Sequence, residues 1–271
     1  MNQLIVFLSQ RQCPSLATVV ATITPRDKTL KLQCERLVGK HDKSIMIDME
    51  PATTAKRYLV SLWDDVVQVV DMGDSVAAFC QAVVDQDTEI PDEMKGGVRL
   101  VIHASTDDRS TSPTYTPASA HSVWGIRPSV ALTDGFPILL ASQASLDELN
   151  RRLITKGKSP IEMSRFRPNI VVGGSTKPFD EDYWKIIEID GALFHIVKGC
   201  PRCKQSCTDQ LTGKVHEEPL ETMAEFRATT EVKEKVYFAQ NVIAAQGSAG
   251  RKIRVGAKVK VIQRGPPVWE T

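Results

Sequence analysis

The chain has 271 residues, with 34 Lys and Arg against 33 Asp and Glu, a formal net charge of +1. That balance excludes the strong basic excess of a dedicated nucleic-acid binder and the charge-rich, core-poor composition of a disordered chain. With 42% hydrophobic residues and the length of one to two domains, the chain can bury a core without disulfide or metal staples.

No apolar run approaches the ~18 residues of a membrane span. The start, MNQLIVFLSQRQC, has a short apolar stretch but neither a basic n-region nor a small-residue cleavage site, so no signal peptide or transmembrane segment is expected. Of the six cysteines, Cys13, Cys34 and Cys80 are scattered, whereas Cys200, Cys203 and Cys207 cluster. A secreted disulfide framework would be denser and more evenly spread, so a reducing, intracellular compartment is expected.

In chain order, Thr18–Ile23, Thr29–Gln33, Ser44–Asp48, Lys56–Leu62 and Val66–Asp71 read as short strands, rich in β-branched residues and separated by turns at Pro25–Lys28 and Asp64–Asp65. Their regular spacing suggests an antiparallel meander or small barrel. Asp74 or Ser75 can cap a helix through Val76–Val84, and Val98–His103 reads as a buried strand. The Ser-, Thr-, Asp- and Pro-rich stretch 104–130 lacks periodicity and reads as a long surface loop dividing two lobes. Then come a strand at Ile138–Ala141, a helix Leu146–Leu153 opened by the capping box Ser145–Glu148, and a strand Ile170–Val172 ending in Gly173-Gly174. Trp184–Ile189 and Ala192–Lys198 alternate around Asp190-Gly191, a two-residue hairpin signal. Pro219 can start a short helix through Arg227, and Ile253–Val255 with Lys258–Gln263 reads as a hairpin about Gly256. The fold class is α+β, mostly β.

Two local features carry chemistry. Cys200-Pro-Arg-Cys203 with Cys207 is compatible with structural zinc, with a redox pair, or with one thiolate used singly as a soft metal ligand or nucleophile. Zinc lacks a second CxxC, the redox pair lacks a strand-to-helix βαβ setting, and Arg202 beside Cys203 favours a thiolate. Buried, inert thiols remain the plain alternative, above all for Cys13, Cys34 and Cys80. Further upstream, Arg165 and Arg167 at i and i+2 share a face in an extended chain, with Asn169 two further on, which suits an anionic ligand such as a phosphate. A solvated basic turn would have the same sequence. The histidines at 41, 103, 121, 195 and 216 form no constellation.

Taken together, Asp134–Leu153, Arg165–Gly174, Pro178–Trp184, Cys200–Cys203, Asp209–Gly213, Glu218–Thr222 and Phe238–Ile243 closely resemble, in order, the MOSC (molybdenum cofactor sulfurase C-terminal) family. The likeness is greatest to the branch of the mitochondrial amidoxime-reducing component and bacterial N-hydroxylated-purine reductases. Upstream, Leu8–Pro14, and Leu62 through Asp74, resemble that branch's N-terminal β-rich domain. The resemblance implies a MOSC β-barrel over residues 131–265, packed on an N-terminal MOSC-type β-barrel-like domain over 1–104, with 105–130 as linker. It implies a molybdenum cofactor (molybdopterin) with Cys203 as metal ligand and catalytic residue, and Arg11, Arg167, Asn169, Pro201, Arg202 and Asn241 as cofactor contacts. Pyridoxal phosphate binding accompanies it as a family-level term.

The implied reaction is oxygen-atom removal from N-hydroxylated substrates such as amidoximes or N-hydroxylated bases. Electrons would come from an external electron-transfer protein, cytochrome b5-like or ferredoxin-like, with its reductase, in the cytoplasm or a mitochondrion. No nucleic acid and no membrane span enter this reading. Two departures stand out. Nothing before Leu8 matches the family's opening strands, so the N-terminal domain reads as incomplete at its start, and Gly135-Phe136 replaces two hydroxyl donors of the animal branch. A molybdenum cofactor carrier or sulfurase-like binding module, and a truncated inactive homologue, are therefore the alternatives.

Overall fold

The computed structural model describes residues 5–39, 42–88, 90, 95–104, 109–121, 127–174, 177–229, 235–248 and 250–269. Residues 105–108 and 122–126 of the loop read from the sequence, and His41, lie outside the described residues. The architecture is α+β and mostly β, in two compact units. One comprises Met1–Arg109 with Thr208–His216, the other Ser110–Cys207 with Glu217–Thr271.

The first unit holds two sheets. β2 (Val20–Thr24), β3 (Thr29–Gln33) and β4 (Ser44–Asp48) form an antiparallel meander. β1 (Ile5–Val6), β5 (Arg57–Leu62), β6 (Asp65–Asp71) and β7 (Val101–His103) form the other sheet, with β1 parallel to β5. The strands expected in one meander or barrel thus divide between two sheets. β7 is also shorter than the expected Val98–His103. The β5–β6 turn falls on Trp63-Asp64, one residue before the expected pair, with Trp63 at φ 57°. Helix α1 (Asp74–Val84) packs Val76, Phe79, Ala82 and Val83 against Leu32, Cys34, Leu37 and Ile47. Asp74 belongs to the helix, and Gly73, at φ 97°, occupies the N-cap position.

The second unit is built on one six-stranded sheet in the order β13-β10-β11-β12-β8-β9. Its strands are β8 (Ile138–Ser142), β9 (Ile170–Val172), β10 (Trp184–Ile189), β11 (Ala192–Pro201), β12 (Tyr237–Ala244) and β13 (Val259–Arg264). Asp190 and Gly191 both have positive φ, as the Asp-Gly hairpin signal requires, and Ile189 faces Ala192 across the turn. The two edge strands line one cavity of about 630 Å³ through Val171, Val172, Val259 and Val261, so the sheet curls.

Helix α2 (Gln143–Thr155) covers one face with Leu146, Leu149 and Leu153, which pack with Phe166, Met223 and Phe238. Helix α3 (Leu220–Ala224) carries Met223. Three expectations fail here. The capping box is not formed: Ser142 occupies the N-cap position and Ser145 lies inside the helix, where it turns its hydroxyl to Glu181. Ile253–Val255 forms no strand, and β13 pairs with β10 across a long connection. β12, absent from the strands read off the sequence, lies at the centre of the sheet. It is buried on both faces and so shows no period-two alternation.

Candidate functional site

The site residues gather at one end of β11. Register shifts between Ile196 and Lys198 and between Gly199 and Pro201 break the ladder with β12 there. Such irregularities re-aim side chains at the end of a strand. Pro201 closes the strand opposite Tyr237, Arg202 and Cys203 follow, and a 3₁₀ turn, Lys204–Cys207, takes the chain away.

Arg202 ties this end together. Its backbone N–H donates to Val236 O at 2.8 Å. Its Nη1 donates to Cys200 Sγ at 3.0 Å and its Nη2 to Phe166 O at 3.0 Å, with the guanidinium 5.1 Å from the Phe166 ring centre. Its Nε is buried with no hydrogen-bond partner among the described residues. Phe166 is itself fixed by a stacked contact with Phe238 of β12, ring centres 3.9 Å apart. Arg165 Nη1 donates to Cys207 O at 2.9 Å, a second tie between the same two turns.

The three clustered cysteines differ. Cys200 and Cys203 are half-buried thiols in no disulfide, whereas Cys207 is buried, its thiol donating to Glu217 O at 3.4 Å. Burial pushes the Cys207 thiol up from its ordinary range. Among the described residues no group of three or more His, Cys, Asp or Glu side chains could hold a metal, so the zinc alternative lacks its ligand set. The redox-pair alternative lacks its helix, since a four-residue 3₁₀ turn follows Cys203.

The expected shared face of Arg165 and Arg167 is not formed. Met163–Phe166 is a 3₁₀ turn, and exposed Arg167 is its left-handed cap at φ 55° and ψ 45°. Asn169 Oδ1 accepts the Leu139 N–H at 2.8 Å, and Leu139 O accepts the Asn169 N–H at 2.8 Å, so this side chain splices β9 onto β8. Asn241 faces Leu139 in the next strand pair and lies within 3.5 Å of Gly199 O through Nδ2. The second unit thus brings Arg167, Asn169, Pro201, Arg202, Cys203 and Asn241 onto neighbouring strand ends and turns. Arg11 belongs to the first unit, its guanidinium 4.9 Å from the Trp63 ring centre.

Arg165 is a supporting residue that the motif reading left out, although its pairing with Arg167 had marked it. Behind the site, Arg227 holds Asp182 through Nη1 at 2.8 Å and Nη2 at 3.1 Å, and Gln240 Nε2 donates to Asp182 Oδ1 at 2.7 Å. Asp182 and Gln240 lie in motif segments, but nothing in the sequence joined them to each other or to Arg227.

A family model described as MOSC domain matches residues 127–261. A rice (Oryza sativa subsp. japonica) molybdenum cofactor sulfurase is 36% identical over 136 residues, 45% of this chain and 16% of that protein. A rat (Rattus norvegicus) mitochondrial amidoxime reducing component 2 is 43% identical over 99 residues, 36% of this chain and 28% of that protein. A mouse (Mus musculus) mitochondrial amidoxime-reducing component 1 is 28% identical over 231 residues, 85% of this chain and 60% of that protein. The chain thus spans less than two thirds of the length of these relatives. Their names give no support to pyridoxal phosphate binding, and that expectation is dropped. No helix among the described residues is long and apolar enough to cross a membrane.

Proposed function

From the premise that residues 127–261 are a MOSC domain, we propose that the chain binds a molybdenum cofactor and reduces N-hydroxylated substrates. The observation that carries this is the state of Arg202. Its guanidinium braces the CPRC segment while its buried Nε lacks an acceptor among the described residues, next in sequence to the half-buried Cys203, a thiol in no disulfide. A buried N–H without a partner is costly unless a ligand supplies the acceptor, and a soft thiolate suits molybdenum.

In this reading Cys203 holds the metal. Arg202 and Arg167 hold the anionic part of the cofactor. Pro201, Asn169 and Asn241 line the pterin, and the exposed guanidinium of Arg167 gives a contact that ordering a ligand would bury. The cofactor supplies oxygen-atom acceptance from N–OH, and the overall change takes two electrons and two protons to amine and water. The electrons come from a separate cytochrome b5-like or ferredoxin-like protein with its reductase, in the cytoplasm or a mitochondrion. Residues 1–104 serve as the MOSC-type N-terminal domain and 131–265 as the MOSC domain.

The test is molybdenum content after loading with cofactor, for wild type and Cys203→Ala. One metal per chain in the first and none in the second supports the reading, and no metal in either sinks it. Reduction of an amidoxime by the loaded protein with a chemical electron donor then separates the reductase from a second reading. That alternative, a cofactor carrier or sulfurase-like module, is favoured by the likeness to the rice sulfurase. Metal without amidoxime turnover would favour it.

A further inference from the structure

Beyond the stretch matched by the family model, Gly265–Trp269 runs as a strap from the end of β13 to the end of β11. Gly265 N–H donates to Tyr183 O at 2.9 Å, and Gly199 N–H donates to Val268 O at 2.8 Å. Between these anchors lie Pro266 and Pro267, whose fixed φ limits the conformations the strap can take. The strap delivers Trp269 onto Gly199. A Cβ at position 199 would fall 2.5 Å from Trp269 Cζ3, 2.6 Å from Cε3 and 3.2 Å from Tyr237 Cδ1. Real side chains do not approach so closely, so glycine here is a slot cut for the indole. The ring lies 4.7 Å from Tyr237, which faces Pro201 across the ladder, and 5.7 Å from the guanidinium of Arg227.

We propose that Trp269 is a positioning residue for the Cys200–Cys203 segment. It clamps the strand at the residue before Cys200, between the two register shifts where the ladder with β12 is weakest. The other side of the clamp is rigid: Arg227 is held by the Asp182 carboxylate, by Tyr237 O at 2.7 Å, and against the Phe179 ring at 4.2 Å. Backbone hydrogen bonding is thin here, because two register shifts break the ladder and Pro201 has no N–H to donate, with only the Arg202 N–H to Val236 O beyond it among the described residues. The strap supplies the missing restraint, and through it the placement of Cys203 relative to the Arg202 brace. The inference rests on packing alone and holds whatever group Cys203 binds.

The test follows the rate of iodoacetamide alkylation at each cysteine of the full chain by mass spectrometry, for wild type, Trp269→Ala and Gly199→Ala. The first variant empties the slot, and the second pushes the indole out with every other side chain unchanged. Both are expected to raise the rate at Cys200 and Cys203 about three- to tenfold by local opening. Cys207, tied separately through Arg165 and Glu217, and Cys13 and Cys34 of the first unit should keep their wild-type rates. Trp269→Phe should recover most of the protection. Gly199→Ala added to Trp269→Ala should change little further, since the two act through one contact. A rise shared by Cys207 would mean that Trp269 only stabilises the unit as a whole. Unchanged rates at Cys200 and Cys203 would mean that the strap does not restrain them. Either result overturns the proposal.

Discussion

Ser145 Oγ donates to Glu181 Oε1 at 2.6 Å inside the second unit, and the same hydroxyl accepts the Phe179 N–H at 2.7 Å. Glu181 is 1% exposed and its Oε2 has no hydrogen-bond partner among the described residues. The single hydroxyl therefore serves two tertiary contacts and caps no helix.

Burial pushes the Glu181 carboxyl up to about 7, against a smaller opposing pull from Ser145. The folded protein therefore binds this proton more tightly than the unfolded chain. The resulting stability is fully present below about pH 4.5 and is lost as pH rises through 7. The loss amounts to roughly 3 kcal/mol over that window. Urea midpoints at pH 5 and pH 8 should fall in that order for wild type. Glu181→Gln, which cannot ionise, should remove most of the difference and be the more stable protein at pH 8.

Glu148 gives the opposite dependence. The guanidinium of Arg151, opposed in part by burial and aided by Arg152, holds its carboxyl down to about 2. Its contribution is present above the unfolded value and lost as pH falls toward 2. Both arginines are more than a third exposed, so solvent screening limits the worth of the pair to about 1 kcal/mol. Glu148→Gln should lower stability by about that amount at pH 7 and by nothing near pH 2, read from urea midpoints in low salt.

Arg227→Ala should cost about 3–5 kcal/mol, because it leaves Asp182 buried without its charge partner. Asp182→Asn introduced into that variant should recover part of the loss, giving a strongly non-additive cycle by urea denaturation. Additive losses would mean that the two groups do not act as a pair.

Asn169→Ala should lower the stability of the cofactor-free protein by about 1 kcal/mol, since the Leu139 N–H loses its acceptor at the β8–β9 junction. A thermal melt of the apo protein checks this. An unchanged melt would mean that this hydrogen bond contributes nothing to the stability of the β8–β9 junction.

Features that depend on neighbours along the chain could be read directly from residue order. Asp190-Gly191 specified a hairpin because a tight two-residue turn needs two positive φ values, and Ala192 duly faces Ile189. The β-branched runs at 29–33, 44–48 and 170–172 became strands with those bounds, and CPRC stood out as a candidate site because four adjacent residues carry its chemistry. What depended on partners distant in sequence was decided by tertiary structure. β12 is buried on both faces and so showed no alternation. Ser145, in a good local capping pattern, was drawn to Glu181 because a buried carboxyl group needs a hydrogen-bond partner more than an accessible helix end does. The paired arginines at 165 and 167 diverged because the chain turns there instead of extending. Gly199 lies one residue past the expected strand Ala192–Lys198 with nothing in the sequence to mark it, and only the arrival of Trp269 shows why no side chain fits there. Turns and strands record the conformational preferences of adjacent residues, whereas burial and close packing record which segments meet, and nothing local in the sequence states that.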